Sequence, residues 1–284
     1  MLVSRFIPAA TEDMDEEELL RIAQWIAAIR GQFGRVNTLL IGSFDPAEAT
    51  ESVREETEPT EALAEKIFEA GYDALIPDCT DFSAETIELC AALEEMDIMV
   101  PAANVYYDGT DEAHEEGENV FTPYAMRDVN VSGRAHTIGI LTLYCRGKDQ
   151  TDIPGLLFVH PDNPDGTLAW EAAMYLQEMQ DEGCEFIIVC CWGEPEVKEK
   201  GPDGKETDAL SPAEQLIWKN TGIDLLILPT APEEYINPPA AMTDKTSRRV
   251  PVLREDENPA GCVLTLTEDS NGELVCSGIQ QIVN

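Results

Sequence analysis

Basic residues are scarce in this sequence of 284 residues. It has 18 lysines and arginines against 56 aspartates and glutamates, which gives a formal net charge of −38 at pH 7. A field of that sign repels nucleic-acid phosphates and anionic lipid, so we expect no nucleic-acid partner. A basic partner, cations or a solvating role for acidic helix faces all remain compatible with the charge.

Long apolar runs are also missing. No stretch approaches the roughly 18 apolar residues of a membrane-spanning helix, and no basic segment followed by an apolar one opens the sequence. We therefore expect a soluble protein with no membrane span and no signal peptide in this chain.

The sequence has no CxxC pair, Gly-rich phosphate loop, nucleophile elbow or zinc finger. Its eight cysteines lie mostly in apolar runs, which is typical of reduced core thiols rather than of a disulfide framework. Only three histidines are present, His114, His136 and His160. We expect each at the surface or in a satisfied core position.

The remaining composition is that of an ordinary globular protein, with 43% hydrophobic residues. Short apolar runs alternate with helical patterns, which predicts a layered α/β fold with parallel and antiparallel strand pairs. The predicted strands are 2–7, 36–41, 72–76, 98–100, 102–105, 120–126, 137–143, 186–193, 223–228, 261–267 and 274–282. The predicted helices are 19–30, 57–70, 83–95, 170–179 and one capped by Ser211.

Residues 71–85 (GYDALIPDCTDFSAE) are the stretch most typical of a binding site. A buried strand ends at Pro77-Asp78, and a helix restarts at Ser83. Ligands bind beyond the carboxyl ends of strands in open α/β sheets. Asp78-Cys79-Thr80-Asp81 therefore occupies the place where a site is expected.

The order of these pieces resembles the catalytic domain of 5′-nucleotidases, a branch of the calcineurin-like metallophosphoesterases, over most of the chain. The matching segments are TLLIGSFD (38–45) for "LLLDAGD", GYDALIPDCTDF (71–82) for "GYDAxxxGNHEF", AANV (102–105) for "saNv", VCCWG (189–193) for "vsHlG" and GIDLLILPTAP (222–232) for "iDliigGHsH". The resemblance implies a four-layer αββα sandwich of mixed sheets. It also implies a single domain over 1–284, without the family's C-terminal nucleotide-binding domain, in a family whose members are commonly exported.

Such enzymes hold two metal ions with Asp, Asn and His ligands. Carried over residue by residue, only Asp45 matches, at the position of the Asp that bridges the metals. The other positions carry replacements: Cys79 for the Asn, Thr80 for the catalytic His, Asp81 for the Glu, Cys191 for a His, and Thr230 and Pro232 in the Gly-His-x-His region. The first strand also lacks the family's Asp-x-His.

The resemblance therefore implies a degenerate domain: the fold is kept, the metal site is lost, and the chain is a non-catalytic binding or scaffold module without a cofactor. Its partner would be an unidentified protein or small molecule. The alternative is a metal-dependent phosphoester or nucleotide hydrolase with a site rebuilt around Asp45, Cys79, Asp81 and Cys191. That site would use Mn or Zn, because thiolates bind zinc when three or four ligands converge.

Overall fold

The computed structural model describes residues 2–5, 16–44, 59–77, 82–145, 153–193, 209–228, 241–254 and 259–283. The chain divides into two units. Unit 1 comprises Met1–Pro101, Arg127–His136 and Asn258–Asn284, and unit 2 comprises Ala102–Met126 and Thr137–Glu257. The predicted mixed α/β class is confirmed. The single domain and the four-layer arrangement stay predictions.

The elements follow one another along the chain. They are β1 (Leu2–Arg5), α1 (Glu16–Phe33), a 3-10 turn (Arg35–Asn37), β2 (Leu40–Phe44), α2 (Pro59–Ala70), β3 (Ala74–Pro77), α3 (Ala84–Glu95), β4 (Tyr106–Tyr107), β5 (Tyr124–Val131), β6 (Arg134–Cys145), β7 (Leu156–Leu157), α4 (Leu168–Asp181), β8 (Phe186–Gly193), α5 (Pro212–Lys219), β9 (Leu225–Leu228), β10 (Ala241–Thr243), β11 (Arg249–Arg254), β12 (Pro259–Glu268) and β13 (Leu274–Val283).

The sheet of unit 1 has the order β13-β12-β1-β2-β3. β1, β2 and β3 run parallel, whereas β12 pairs antiparallel with both β1 and β13. Leu39, Ile41 and Leu75 are completely buried in this unit.

A second sheet has the order β10-β11-β9-β8-β6-β5, and β11, β9, β8 and β6 are parallel. β5 and β6 are joined by Ser132 and Gly133, whose φ angles are 54° and 89°. Two positive φ values are typical of a tight type I′ hairpin turn, so β5 and β6 form a hairpin. In unit 2, the side chains of α4 and α5 form one hydrophobic cluster with those of this sheet.

Four local predictions are wrong. The strand predicted over 120–126 begins only at Tyr124 and continues to Val131. α1 continues through Gly31 and ends before Gly34, whose φ of 82° and N–H bond to the Arg30 carbonyl (2.8 Å) form the stop. The strand predicted over 36–41 begins only at Leu40. Residues 98–105 form one bridge, from Met99 to Ala74, instead of two strands, because their apolarity reflects burial and not ladder pairing.

The prediction of core cysteines is confirmed for three of the six cysteines whose side chains are described. Cys90, Cys190 and Cys191 are buried, Cys145, Cys184 and Cys276 are partly buried, and all six are free thiols. In the part of the chain that the structure covers, no helix has an apolar run long enough to cross a bilayer.

Candidate functional site

In unit 1, the predicted ligand segments follow two neighbouring parallel strands. β2 and β3 pair in parallel, with Phe44 opposite Pro77, so their carboxyl ends lie at one edge of the sheet. Asp45 is the next residue after β2, and Cys79 comes two residues after β3. Asp45, Cys79, Thr80 and Asp81 themselves lie outside the described residues. The strand order thus agrees with the place where α/β sheets bind ligands.

In unit 2, the other three predicted positions, Cys191, Thr230 and Pro232, lie in or after the parallel neighbours β8 and β9. Thr230 comes two residues and Pro232 four residues after Leu228, and both lie outside the described residues. Cys191 lies within β8, opposite Leu143 of β6. Of the seven predicted positions, Cys191 is therefore the one whose surroundings can be described.

The Cys191 side chain has no exposed surface and belongs to the hydrophobic cluster with α4 and α5. Burial, reinforced by Cys145 and Cys190, raises the pKa of the Cys191 thiol well above its usual range. Metal binding requires the thiolate, and an apolar setting disfavours that form. Cys191 is a core residue in this structure, and its surroundings favour the thiol over the thiolate.

A buried aspartate that the sequence analysis did not single out fixes the start of β3. Asp73, 3% exposed, accepts hydrogen bonds from the Leu40 backbone N–H (2.8 Å) and from Arg30 Nη2 (2.7 Å). Its own N–H donates to the Leu40 carbonyl (2.9 Å), and Arg127 Nη2 lies 3.7 Å from its Oδ1. The Asp of the GYDA segment thus holds β3 against β2.

The same arrangement recurs in unit 2 before β9. The Ile187 N–H donates to Asp224 Oδ2 (2.8 Å), the Asp224 N–H donates to the Ile187 carbonyl (2.9 Å), and Arg248 Nη1 donates to Asp224 Oδ1 (2.7 Å). Each aspartate comes two residues after a glycine with positive φ, 80° at Gly71 and 92° at Gly222. We call each Gly-x-Asp with its arginine an aspartate clamp. A Gly-x-Asp triplet before an apolar run is the sequence signal that could have revealed both.

Asn104, in the segment that resembles "saNv", is completely buried and satisfied. Its Nδ2 donates to the carbonyls of Tyr144 and Phe158, both at 2.9 Å, and its Oδ1 accepts from the Tyr144 N–H at 2.7 Å. The side chain holds the 102–105 segment against β6. Its contacts are structural.

Unit 2 also contains a buried carboxylate that was not predicted. Glu171 of α4, 1% exposed, accepts from the Tyr106 hydroxyl (2.6 Å), the His160 N–H (2.9 Å) and Asn163 Nδ2 (2.7 Å). Burial, together with the Glu171 carboxylate, raises the pKa of Tyr106. His160 and Asn163 both donate to Glu171, so the carboxylate ties this segment of unit 2 to α4.

Of the three histidines, His136 is in a satisfied core position as predicted, whereas Nδ1 of the partly exposed His114 is buried without a hydrogen-bond partner among the described residues. His136 has a buried side chain and lies 3.0 Å from Glu268 Oε1. His114 stacks on Tyr107 with ring centres 3.7 Å apart. His160 Nδ1 accepts from the Asp162 N–H at 3.1 Å.

Among the described side chains, no group of three or more His, Cys, Asp or Glu is placed to hold a metal ion. Asp45, Cys79 and Asp81 fall outside that set. Both the rebuilt metal site and the lost one therefore stay predictions.

Comparison with solved structures identifies the class of fold. The matching structures include 5′-nucleotidases, an NAD nucleotidase, a calcineurin-like phosphoesterase and a sulfate thiohydrolase, so the resemblance seen in the sequence is confirmed at the level of the fold. No family model and no curated protein matches the sequence.

Three structures illustrate the likeness. A 5′-nucleotidase precursor from Thermus thermophilus matches 93% of this chain and 48% of its own, at 17% identity and a TM-score of 0.57. The calcineurin-like phosphoesterase YfkN from Bacillus subtilis matches 100% of this chain and 90% of its own, at 17% identity and a TM-score of 0.56. A putative 5′-nucleotidase from Staphylococcus aureus matches 100% of this chain and 54% of its own, at 15% identity and a TM-score of 0.59. The chain thus spans about half the length of the two nucleotidases.

Proposed function

We propose that this chain is a metallophosphoesterase-fold domain that has lost its dinuclear metal site and acts as a binding or scaffold module. The observation that carries the proposal is the setting of Cys191. The residue at the position of a family His is fully buried in an apolar cluster, and its pKa is raised by burial. A ligand position that has become part of the core supports loss of the site rather than its replacement.

The resembling motifs divide into two kinds of residue, which supports the same conclusion. Asp73, Asp224 and Asn104 hold strands and segments together through backbone contacts. These strand-holding residues match the family motifs, whereas Cys79, Thr80 and Cys191 replace residues that would bind metal or transfer a proton. A domain that keeps its fold without its metal chemistry would have this combination.

The experiment is a metal titration of the purified chain with Mn²⁺, Zn²⁺ and Co²⁺, read by elemental analysis after desalting. It is followed by hydrolysis assays with p-nitrophenyl phosphate and a nucleoside monophosphate. We expect substoichiometric metal and no turnover above buffer. Asp45→Ala is the matched variant, since Asp45 alone matches a family ligand, and we expect it to behave like the wild-type chain.

Stoichiometric metal, together with turnover that Asp45→Ala abolishes, would overturn the proposal. That result would establish the hydrolase with a rebuilt site around Asp45, Cys79, Asp81 and Cys191. Restoring the loop with Cys79→Asn, Thr80→His and Asp81→Glu gives a further check. A folded variant that gains metal would support the alignment of this loop with the family.

A further inference from the structure

An open groove of about 920 Å³ lies entirely within unit 1. One wall is α2, and the other is the end of α3 with the residues after it. Tyr72 and Ile98, 3% and 2% exposed, line its apolar base. A groove of this size is large enough to receive several side chains of a partner.

The wall formed by α2 presents an aromatic anchor point. Phe68 lines the groove and is 50% exposed, although it stands one residue after the fully buried Ile67. Half-exposed aromatic rings beside an apolar base are typical contact points for partner proteins. The Phe68 ring can accept an apolar side chain or the cation of a lysine or arginine.

The rim of the groove is predominantly acidic. Four carboxylates, Glu65, Glu69, Glu95 and Asp97, face two arginines. Arg127 lies 3.7 Å from Asp73 and from Asp97, so it pairs with one of the four rim carboxylates, and Glu65, Glu69 and Glu95 are left against Arg35. The groove therefore offers more negative than positive charge to a ligand, in a chain of net charge −38.

The two acidic residues of α2 strengthen this preference. Glu65 and Glu69 stand one helical turn apart and are both exposed. Like charges at this spacing repel each other and weaken a helix. A cation from a partner, placed between them, would remove that repulsion.

We infer that this groove is a docking site for a basic segment of a partner protein, with lysine or arginine at the acidic rim and an apolar side chain against Phe68. An anionic occupant is disfavoured by the rim and by the field of the whole chain. The inference goes beyond the proposed loss of metal chemistry. The groove lies in unit 1 and its described lining residues include none of the predicted metal-site positions, so the inference holds whether or not the chain hydrolyses phosphoesters.

The test is fluorescence anisotropy with a fluorescein-labelled peptide in which lysine and leucine alternate around one arginine. A second peptide carries glutamate in place of every lysine and arginine. We expect the basic peptide to bind saturably and the acidic peptide not to bind. Absence of saturable binding by the basic peptide, or equal binding of both peptides, would overturn the inference.

Matched variants separate the groove from the bulk charge. Glu65→Gln with Glu69→Gln should weaken binding of the basic peptide about fivefold, as expected for the loss of two exposed ion pairs. Glu112→Gln with Glu116→Gln removes the same charge from exposed positions of unit 2 and should change binding less than about twofold. Equal weakening by both pairs would assign the binding to bulk charge and overturn the inference.

The aromatic contact is tested in the same assay. Phe68→Ala should weaken binding about fivefold through the lost apolar contact. Trp218→Ala changes another half-exposed aromatic residue, in unit 2, and should leave binding unchanged. Competition with spermine, a polycation without apolar side chains, tests the apolar contact separately. If spermine displaces the labelled peptide as well as the unlabelled peptide does, at concentrations that supply the same positive charge, the inferred apolar contact is wrong and the inference is overturned.

Discussion

The two aspartate clamps share their chemistry and differ in their exposure to water. In unit 1, the side chains of Asp73 and Arg30 are 3% and 16% exposed. In unit 2, those of Asp224 and Arg248 are 19% and 43% exposed. Water screens the second pair and can solvate either partner when the other is removed, whereas the first pair is largely shielded from water and has Arg127 as a further cation near Asp73. Although the two clamps share one hydrogen-bond pattern, their different exposure predicts unequal contributions to stability.

The largest effect is expected from Asp73→Ala. The change leaves the Leu40 N–H and the part-buried Arg30 guanidinium (16% exposed) without their carboxylate, which should lower the free energy of unfolding by about 3 kcal/mol. Urea unfolding measures this loss, and amide exchange at Leu40 localises it. Glu69→Ala, on the exposed face of α2, is the control and should cost less than about 0.5 kcal/mol. Equal losses for the two variants would contradict the buried clamp.

Much of the fold was predictable because it follows local rules. Ser211 and Glu214 form the expected capping box, and α3 begins at Ala84, one residue after the predicted start at Ser83, which is its N-cap. The closing strands also form their hairpin. The strand prediction over 98–105 failed because tertiary contacts decide the backbone pairing there. The run is largely buried, but its backbone bonds to irregular partners, such as the Thr122 carbonyl, which accepts from the Ala102 N–H.

The clamps were not predictable as pairs. Arg30 and Asp73 are 43 residues apart, and Asp224 and Arg248 are 24 apart. The sequence alone does not show which distant residues meet in the fold, and a basic residue such as Arg30 in the last turn of α1 is already explained by the helix dipole. The candidate site itself rests on the resemblance. Within the described chain only Cys191 adds structural information to it.

The second largest effect is expected at Cys191 in unit 2, where a substitution tests whether the residue is part of the core or a metal ligand. Cys191→Ser places a hydroxyl in the apolar cluster and should lower the free energy of unfolding by about 2 kcal/mol. Cys276→Ser, at a half-buried position in unit 1, is the matched control and should cost less than about 0.5 kcal/mol. A neutral Cys191→Ser would show that the position is polar, and it would favour the metal-ligand alternative.

Asp224→Ala should have a smaller effect than Asp73→Ala. The partly exposed Arg248 can turn to water, so we expect a loss of about 1 kcal/mol in urea unfolding. High salt should reduce the difference between Asp224→Ala and the wild-type chain but leave the Asp73→Ala difference nearly unchanged, since buried pairs are screened less. If the two clamps respond equally to salt, their different exposure does not determine their contributions.

The smallest effect concerns the pH dependence of unit 2. Burial raises the pKa of the Cys184 thiol from 9.0 to about 11. In the unfolded chain this thiol loses its proton first, so the folded state holds more protons between these values and stability falls as the pH rises through them. Cys184→Ala should reduce that fall by about 1 kcal/mol between pH 9 and 11, measured by urea unfolding. Burial also raises the pKa of the Cys276 thiol in unit 1, but this thiol is only half-buried. Cys276→Ala should therefore reduce the loss of stability at high pH by less than Cys184→Ala does. An unchanged slope in Cys184→Ala would mean that water reaches this thiol in the folded protein.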